Sequence, residues 1–138
     1  MRWKEIILES VSQSEYNNAY SAAEPYVTEN IRELEDIWNG GVSNFGDPRA
    51  AQYITDQKGY YDYISAFRDS FNYPITVYRY GPIKKGPMAV TTNLDFAKKF
   101  ANFAGHKNNQ QIHELIIEDP FQIIMRGKYE EDELVINL

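Results

Sequence analysis

The spacing of hydrophobic positions changes character midway along this chain. Through the first seventy residues they recur every three or four positions. The sets are Trp3, Ile6, Ile7 and Val11; then, after Pro25, Val27, Ile31, Leu34 and Ile37-Trp38; then Ala51, Ile54, Tyr61, Ile64 and Phe67. Apolar residues at that spacing line one face of a helix. The pattern predicts an N-terminal helix, a second helix that Asn39-Gly40-Gly41 ends, and a third from Asp47-Pro48 to about Phe71. The segment GVSNFGDPRA between the last two reads as a loop.

At Asn72-Tyr73-Pro74 the period falls to two. ITVYRY alternates and is rich in β-branched and aromatic residues, which predicts a strand. GPIKKGP is a turn-rich connector and MAVTT a short strand. LDFAKKFANFAG predicts a helix, with Leu94, Ala97, Ala101 and Ala104 in one row, Phe96, Phe100 and Phe103 beside it, and Gly105 as its stop. IHELIIED, FQIIM and ELVINL predict three more strands. The expected fold class is α+β in a single domain spanning 1–138. An N-terminal helical layer (1–72) precedes a mostly antiparallel sheet with one inserted helix (73–138).

Composition narrows the function classes. A chain of 138 residues has the size of one domain and can bury about two thirds of its unfolded surface. It has no cysteine, which fits a reducing compartment. No apolar run has the length of a signal peptide or approaches the ~20 residues that span a bilayer, so no membrane association and a cytoplasmic location are expected. The net charge of -6 is uneven: residues 1–72 hold twelve acids against six bases, and residues 73–138 hold eight against eight. An acidic chain is a poor nucleic-acid binder. Its neutral half can still hold an anionic small molecule where a few bases converge. The eleven tyrosines read as packing at half-buried surfaces. His106 and His113 fall outside metal-ligand spacing, so no metal is expected and both read as structural, with His106 or Lys107 in the loop GHKNNQ within reach of a phosphate as the lesser alternative.

Three places carry residues suited to chemistry. Arg79 shares a strand face with Ile75 and Val77, which puts a guanidinium on the buried side, where it needs an anionic partner. An internal ion pair or a snorkelling side chain is the plainer explanation. Thr91 and Thr92 close a strand just before a helix, where hydroxyls commonly serve as N-caps. Glu131 and Glu133 precede LVINL. With the strand starting near Glu131, both point to one side with β-carbons roughly 7 Å apart. Two carboxylates so placed can divide labour at a glycosidic bond. A solvated acidic turn is the plainer alternative.

The order of these residues is similar to that in mono-ADP-ribosyltransferases of the arginine-serine-glutamate type. The resemblance covers about residues 73–138. It rests on Val77-Tyr78-Arg79-Tyr80-Gly81, on Val90-Thr91-Thr92-Asn93 followed by Ala97-Lys98-Lys99-Phe100-Ala101, and on Tyr129-Glu130-Glu131-Asp132-Glu133-Leu134-Val135-Ile136. It implies an ADP-ribosyltransferase-like sheet core and NAD as co-substrate, with no metal. Arg79, with Tyr80 and Gly81 beside it, would hold the NAD phosphates or the nicotinamide-side ribose. Thr91 would stand in for the family's serine, with Thr92 as the competing choice. Glu133 would be the catalytic glutamate, and Glu131 would orient and deprotonate the acceptor, an arginine of an unidentified protein. Four departures stand against the pattern: threonine for serine, a short connector after Arg79, Tyr80 where a glycine usually follows the arginine, and an acidic run that inflates any Glu-x-Glu match. A catalytically silent binding or phage structural protein of this fold is the alternative, and ADP-ribosylation of nucleic acid a further one. The opening MRWKEII resembles tailed-phage proteins, which would place the chain in a host cytoplasm.

Overall fold

A computed structural model of the chain describes residues 11–41, 43–103 and 111–138. The expected first helix around Trp3, Ile6 and Ile7 lies outside the described residues, as do Ala104, Gly105, His106 and Lys107.

Helix α1 (Gln13–Ala23) starts where the Ser12 hydroxyl accepts from the Glu15 N–H at 3.0 Å. It turns only Tyr16, Ala19 and Ala23 fully inward, so no aliphatic stripe announces it. Helix α2 (Glu29–Asn39) is capped by Thr28 and ends at Gly40. It buries Ile31 and Leu34 as expected, and also Glu35. The loop before the next helix contains a 3-10 turn, Ser43–Gly46.

The single helix expected from residue 47 to 71 is two: α3 (Ala50–Thr55) and α4 (Tyr60–Arg68). Gly59 divides them at φ +81°, a left-handed conformation that costs glycine little. A β-carbon there would also stand 2.6 Å from Thr28 Cγ2. The break resets the helical phase. Tyr61, expected inside, is 75% exposed, and Tyr60 and Tyr63 are buried in its place beside Ile64 and Phe67.

The second half follows the expected order: β1 (Ile75–Tyr80), β2 (Pro87–Thr91), helix α5 (Leu94–Phe103), β3 (Ile112–Ile117), β4 (Ile123–Arg126) and β5 (Glu133–Asn137). Strand boundaries differ by a residue or two, as at β3, which stops at Ile117. Thr92 lies beyond β2, and Phe121 sits in a 3-10 turn, Pro120–Gln122, that Pro120 and the Asp119 cap impose, leaving it 72% exposed. All strand pairs are antiparallel, in the order β3-β1-β2-β5-β4, so the chain is α+β. β1 pairs with β3 over its full length but meets β2 at one register pair, Tyr78↔Thr91. The sheet is therefore weakly joined at the β1–β2 seam. Helix α5 packs across that seam against β1, β2 and β3.

The helical layer covers the β4–β5 side of the sheet. Its centre is a buried cation. Arg126 has no exposed side-chain area and donates to Glu35 at 2.6 Å and to Glu24 at 2.6 Å. It also donates to the Tyr20 carbonyl at 2.7 Å and sits 3.8 Å from the Tyr20 ring centre. The Tyr63 hydroxyl donates to Glu35 at 2.6 Å and accepts the Arg126 backbone N–H at 3.1 Å. Arg32 closes the network on Glu24 and Glu35. Burial alone would lower the Arg126 guanidinium, but the two carboxylates hold it above its ordinary value. Among the described residues no helix is long and apolar enough to cross a membrane.

Candidate functional site

A cleft of about 320 Å³ opens along the β1–β2 seam. Tyr78, Arg79 and Tyr80 of β1 form one wall, Ala89 to Thr91 of β2 the floor, Phe96, Ala97 and Phe100 of α5 the roof, and Glu131 and Glu133 one end. A second cavity of about 370 Å³ adjoins it, sharing Arg79, Ala89 and Glu133 and adding Trp38, Lys84, Lys128 and Met88. The first compartment is aromatic, and the second carries three cations.

Arg79 is half-buried at the junction. Its Nε donates to the Pro82 carbonyl at 2.8 Å and its Nη1 to the Ala89 carbonyl at 2.9 Å. The expected anionic partner is not found: among the described residues Arg79 forms no ion pair. Backbone carbonyls of the short connector and of β2, freed by the weak seam, take that place. Burial lowers its guanidinium somewhat, but arginine keeps its charge. His113 sits opposite Arg79 in register on β3.

The two threonines are not equivalent. The Thr91 hydroxyl lines the cleft, donates to the Glu131 carbonyl at 2.7 Å and accepts the Asn93 N–H at 3.0 Å. Asn93, not a threonine, accepts from Phe96 N–H in the first turn of α5. Thr92 is buried, and its N–H donates to the Asp132 carbonyl at 3.1 Å. Neither Thr92 nor Gly81 borders either cavity. Gly81 takes φ +109° and donates to the Gln111 carbonyl, so it ends β1 rather than facing a ligand.

The carboxylate end departs from the expected strand. Glu131 closes a 3-10 turn, Tyr129–Glu131, and β5 begins only at Glu133. Asp132 between them is left-handed at φ 48°, ψ 44°, a conformation aspartate tolerates better than most residues. The two glutamates therefore do not alternate along one strand; a sharp turn brings both to the cleft. Glu131 stays partly exposed, 4.0 Å from Lys128 Nζ. Glu133 is 7% exposed. Its Oε2 accepts from Trp38 Nε1 at 2.8 Å and its Oε1 from the Lys128 N–H at 3.3 Å. Burial pushes its carboxyl above the usual range, with Glu131 adding and the Trp38 and Lys128 donors opposing.

No family model matches this chain. No curated protein and no solved structure matches it either. The site thus stands on its geometry. Five of the seven residues singled out in the sequence line the cleft: Arg79, Tyr80, Thr91, Glu131 and Glu133. Sequence reasoning missed Trp38, which reads as one more apolar residue of α2, and Gly127, which no motif marks. A β-carbon on Gly127 would stand 2.8 Å from Glu133 Cβ and closer still to Cγ and Cδ. Lys84 and Lys128 also lacked any signal beyond their charge. The helical layer braces this end further. The Tyr16 hydroxyl donates to the Glu133 carbonyl at 2.9 Å, and Gln13 donates to Asp132 at 3.1 Å.

Proposed function

We propose that this chain is an NAD-dependent mono-ADP-ribosyltransferase of the arginine-serine-glutamate type, transferring ADP-ribose to a protein side chain, with arginine the favoured acceptor. The observation that carries the reading is Glu133: a buried carboxylate gripped at both oxygens, at the end of a cleft that also holds a guanidinium and a second, more exposed carboxylate. The paired compartments suit a dinucleotide. One offers aromatic walls for a flat ring, and the other offers Arg79, Lys84 and Lys128 for a diphosphate.

The proposed roles follow from charge. Arg79 holds the diphosphate side of NAD in place. Burial makes the Glu133 carboxylate a stronger acceptor, suited to bond a ribose 2′-hydroxyl and stabilise positive charge that builds at C1′ as the C1′–nitrogen bond breaks. Nicotinamide leaves neutral with the bonding pair. Glu131 aligns the acceptor guanidinium and takes its proton as the new nitrogen–C1′ bond forms. Thr91 orders the turn that carries both glutamates through its bond to the Glu131 carbonyl.

A catalytically silent NAD-binding protein is the second reading. The commitment of the Thr91 hydroxyl to two protein partners favours it, since that hydroxyl is already bonded. Parallel measurement of released nicotinamide and protein-bound ADP-ribose separates the two. Glu133→Gln should lower both by about two to three orders of magnitude. Glu131→Gln should lose transfer while keeping hydrolysis of NAD to ADP-ribose. Near wild-type turnover in Glu133→Gln defeats the assignment. NAD binding without nicotinamide release in the unaltered protein establishes the silent reading.

A further inference from the structure

Glu133 is held by groups that no motif marks. Trp38 lies 95 residues earlier, near the end of α2, and its Nε1–H reaches Oε2 at 2.8 Å. Its ring stacks on Phe45, centroids 6.0 Å apart at 22°. Gly127 leaves the space that the Glu133 side chain fills; any β-carbon there would overlap Cβ, Cγ and Cδ. The next residue, Lys128, supplies the N–H to Oε1. The carboxylate thus has a donor on each oxygen and a wall made by the missing side chain.

We propose that Trp38 and Gly127 are positioning residues that hold the Glu133 carboxylate in one orientation at the end of the cleft. The catalytic consequence rests on the transferase reading above; the holding of the carboxylate does not. The Trp38 donor bonds the ionised form more strongly than the protonated one. Its loss should therefore make Glu133 harder to ionise. The other charged and titratable groups around Glu133 remain in place: Glu131 and Lys128 from the preceding turn, Tyr16 from α1, and Arg79 and Lys84 across the shared cavity.

Trp38→Phe keeps an aromatic ring beside Phe45 and deletes the donor together with part of the indole. Carboxyl titration of carbon-13-labelled glutamate by NMR, with Glu133 assigned from the Glu133→Gln spectrum, reads the effect without NAD. The Glu133 midpoint should move upward while circular dichroism stays native. The rate of nicotinamide release should fall about tenfold to a hundredfold with KM little changed, as expected from loss of one charge-assisted hydrogen bond, and its pH profile should shift in the same direction. Gly127→Ala should displace the carboxylate and abolish the Trp38 contact, visible as a change in the Glu133 resonance. An unmoved midpoint in folded Trp38→Phe overturns the proposal. A moved midpoint in a protein whose unaltered form releases no nicotinamide keeps the positioning role and removes the transferase reading.

Discussion

Arg126 allows a sharp test of what holds the helical layer to the sheet. The substitution Arg126→Met keeps the stem and removes the guanidinium. Glu35, 4% exposed, would keep only the Tyr63 hydroxyl and Arg32 at 3.6 Å, on a residue whose side chain is itself 47% exposed. Breaking one side of a buried ion pair costs about 3–5 kcal/mol. For a domain of this size each kcal/mol moves Tm by roughly 4 °C, so a fall of about 12–20 °C is expected. Glu35→Leu should cost less, because Arg126 keeps Glu24, the Tyr20 carbonyl and the Tyr20 ring. The double variant Arg126→Met/Glu35→Leu should recover much of the loss, since apolar replacement of a whole buried pair is often neutral. Tyr63 would still accept the backbone N–H of position 126, but its hydroxyl would lose Glu35 as acceptor, which leaves a residual cost of about 1–3 kcal/mol. Urea unfolding of the four proteins gives the coupling free energy, expected above about 1 kcal/mol. A loss below about 1 kcal/mol in Arg126→Met, or additive losses in the double variant, would refute the reasoning.

Two further outcomes test the cleft. Arg79→Lys cannot reproduce the fork that reaches both the Pro82 and Ala89 carbonyls, so NAD should raise its Tm less than the several degrees expected of the unaltered protein at saturating ligand; equal shifts would remove Arg79 from the proposed NAD contacts. The pH dependence of stability carries a definite sign. Burial raises the folded-state carboxyls of Glu133 and Asp132, so the stability they contribute is present below the ordinary carboxylate range and lost as pH rises through their raised folded values. Glu24, lowered chiefly by its bond from Arg126, acts oppositely, its contribution being lost only as pH falls through its depressed folded value. Tm should therefore rise as pH is lowered from neutrality toward the carboxylate range, and Glu133→Gln should flatten that rise; an unchanged slope would place the Glu133 titration elsewhere.

The change of hydrophobic period near residue 73 located the sheet because alternation depends only on neighbours two apart. The same local logic failed where a single backbone angle reset the phase. Gly59 turned Tyr61 outward and Tyr60 and Tyr63 inward, and Asp132 split Glu131 from the strand that Glu133 begins. Neither angle is written in a hydrophobic pattern. Arg79 was legible as a half-buried cation near a strand end. Its partners were not, because they are carbonyls made available by a seam that only the register of β1 and β2 reveals.

The helical layer is where motif reading loses most. Residues 1–72 carry no part of the family pattern, yet three of their side chains converge on the turn that bears the glutamates: Tyr16 on the Glu133 carbonyl, Trp38 on its carboxylate and Gln13 on Asp132. Each contact joins residues 95 or more positions apart, so no local spacing encodes it. The buried Arg126 network supplies the reason these contacts can be fixed. Glu24 precedes α2 and Glu35 lies within it, one turn before Trp38, while Arg126 stands at the end of β4, next to Gly127. Anchoring Arg126 between those carboxylates sets both α2, which carries the indole, and the start of the turn whose glycine accommodates Glu133. The costly interior cation and the gripped carboxylate are thus neighbouring parts of one arrangement. Strand alternation supplies the floor of the cleft, and the acidic helical layer sets the orientation of its carboxylate.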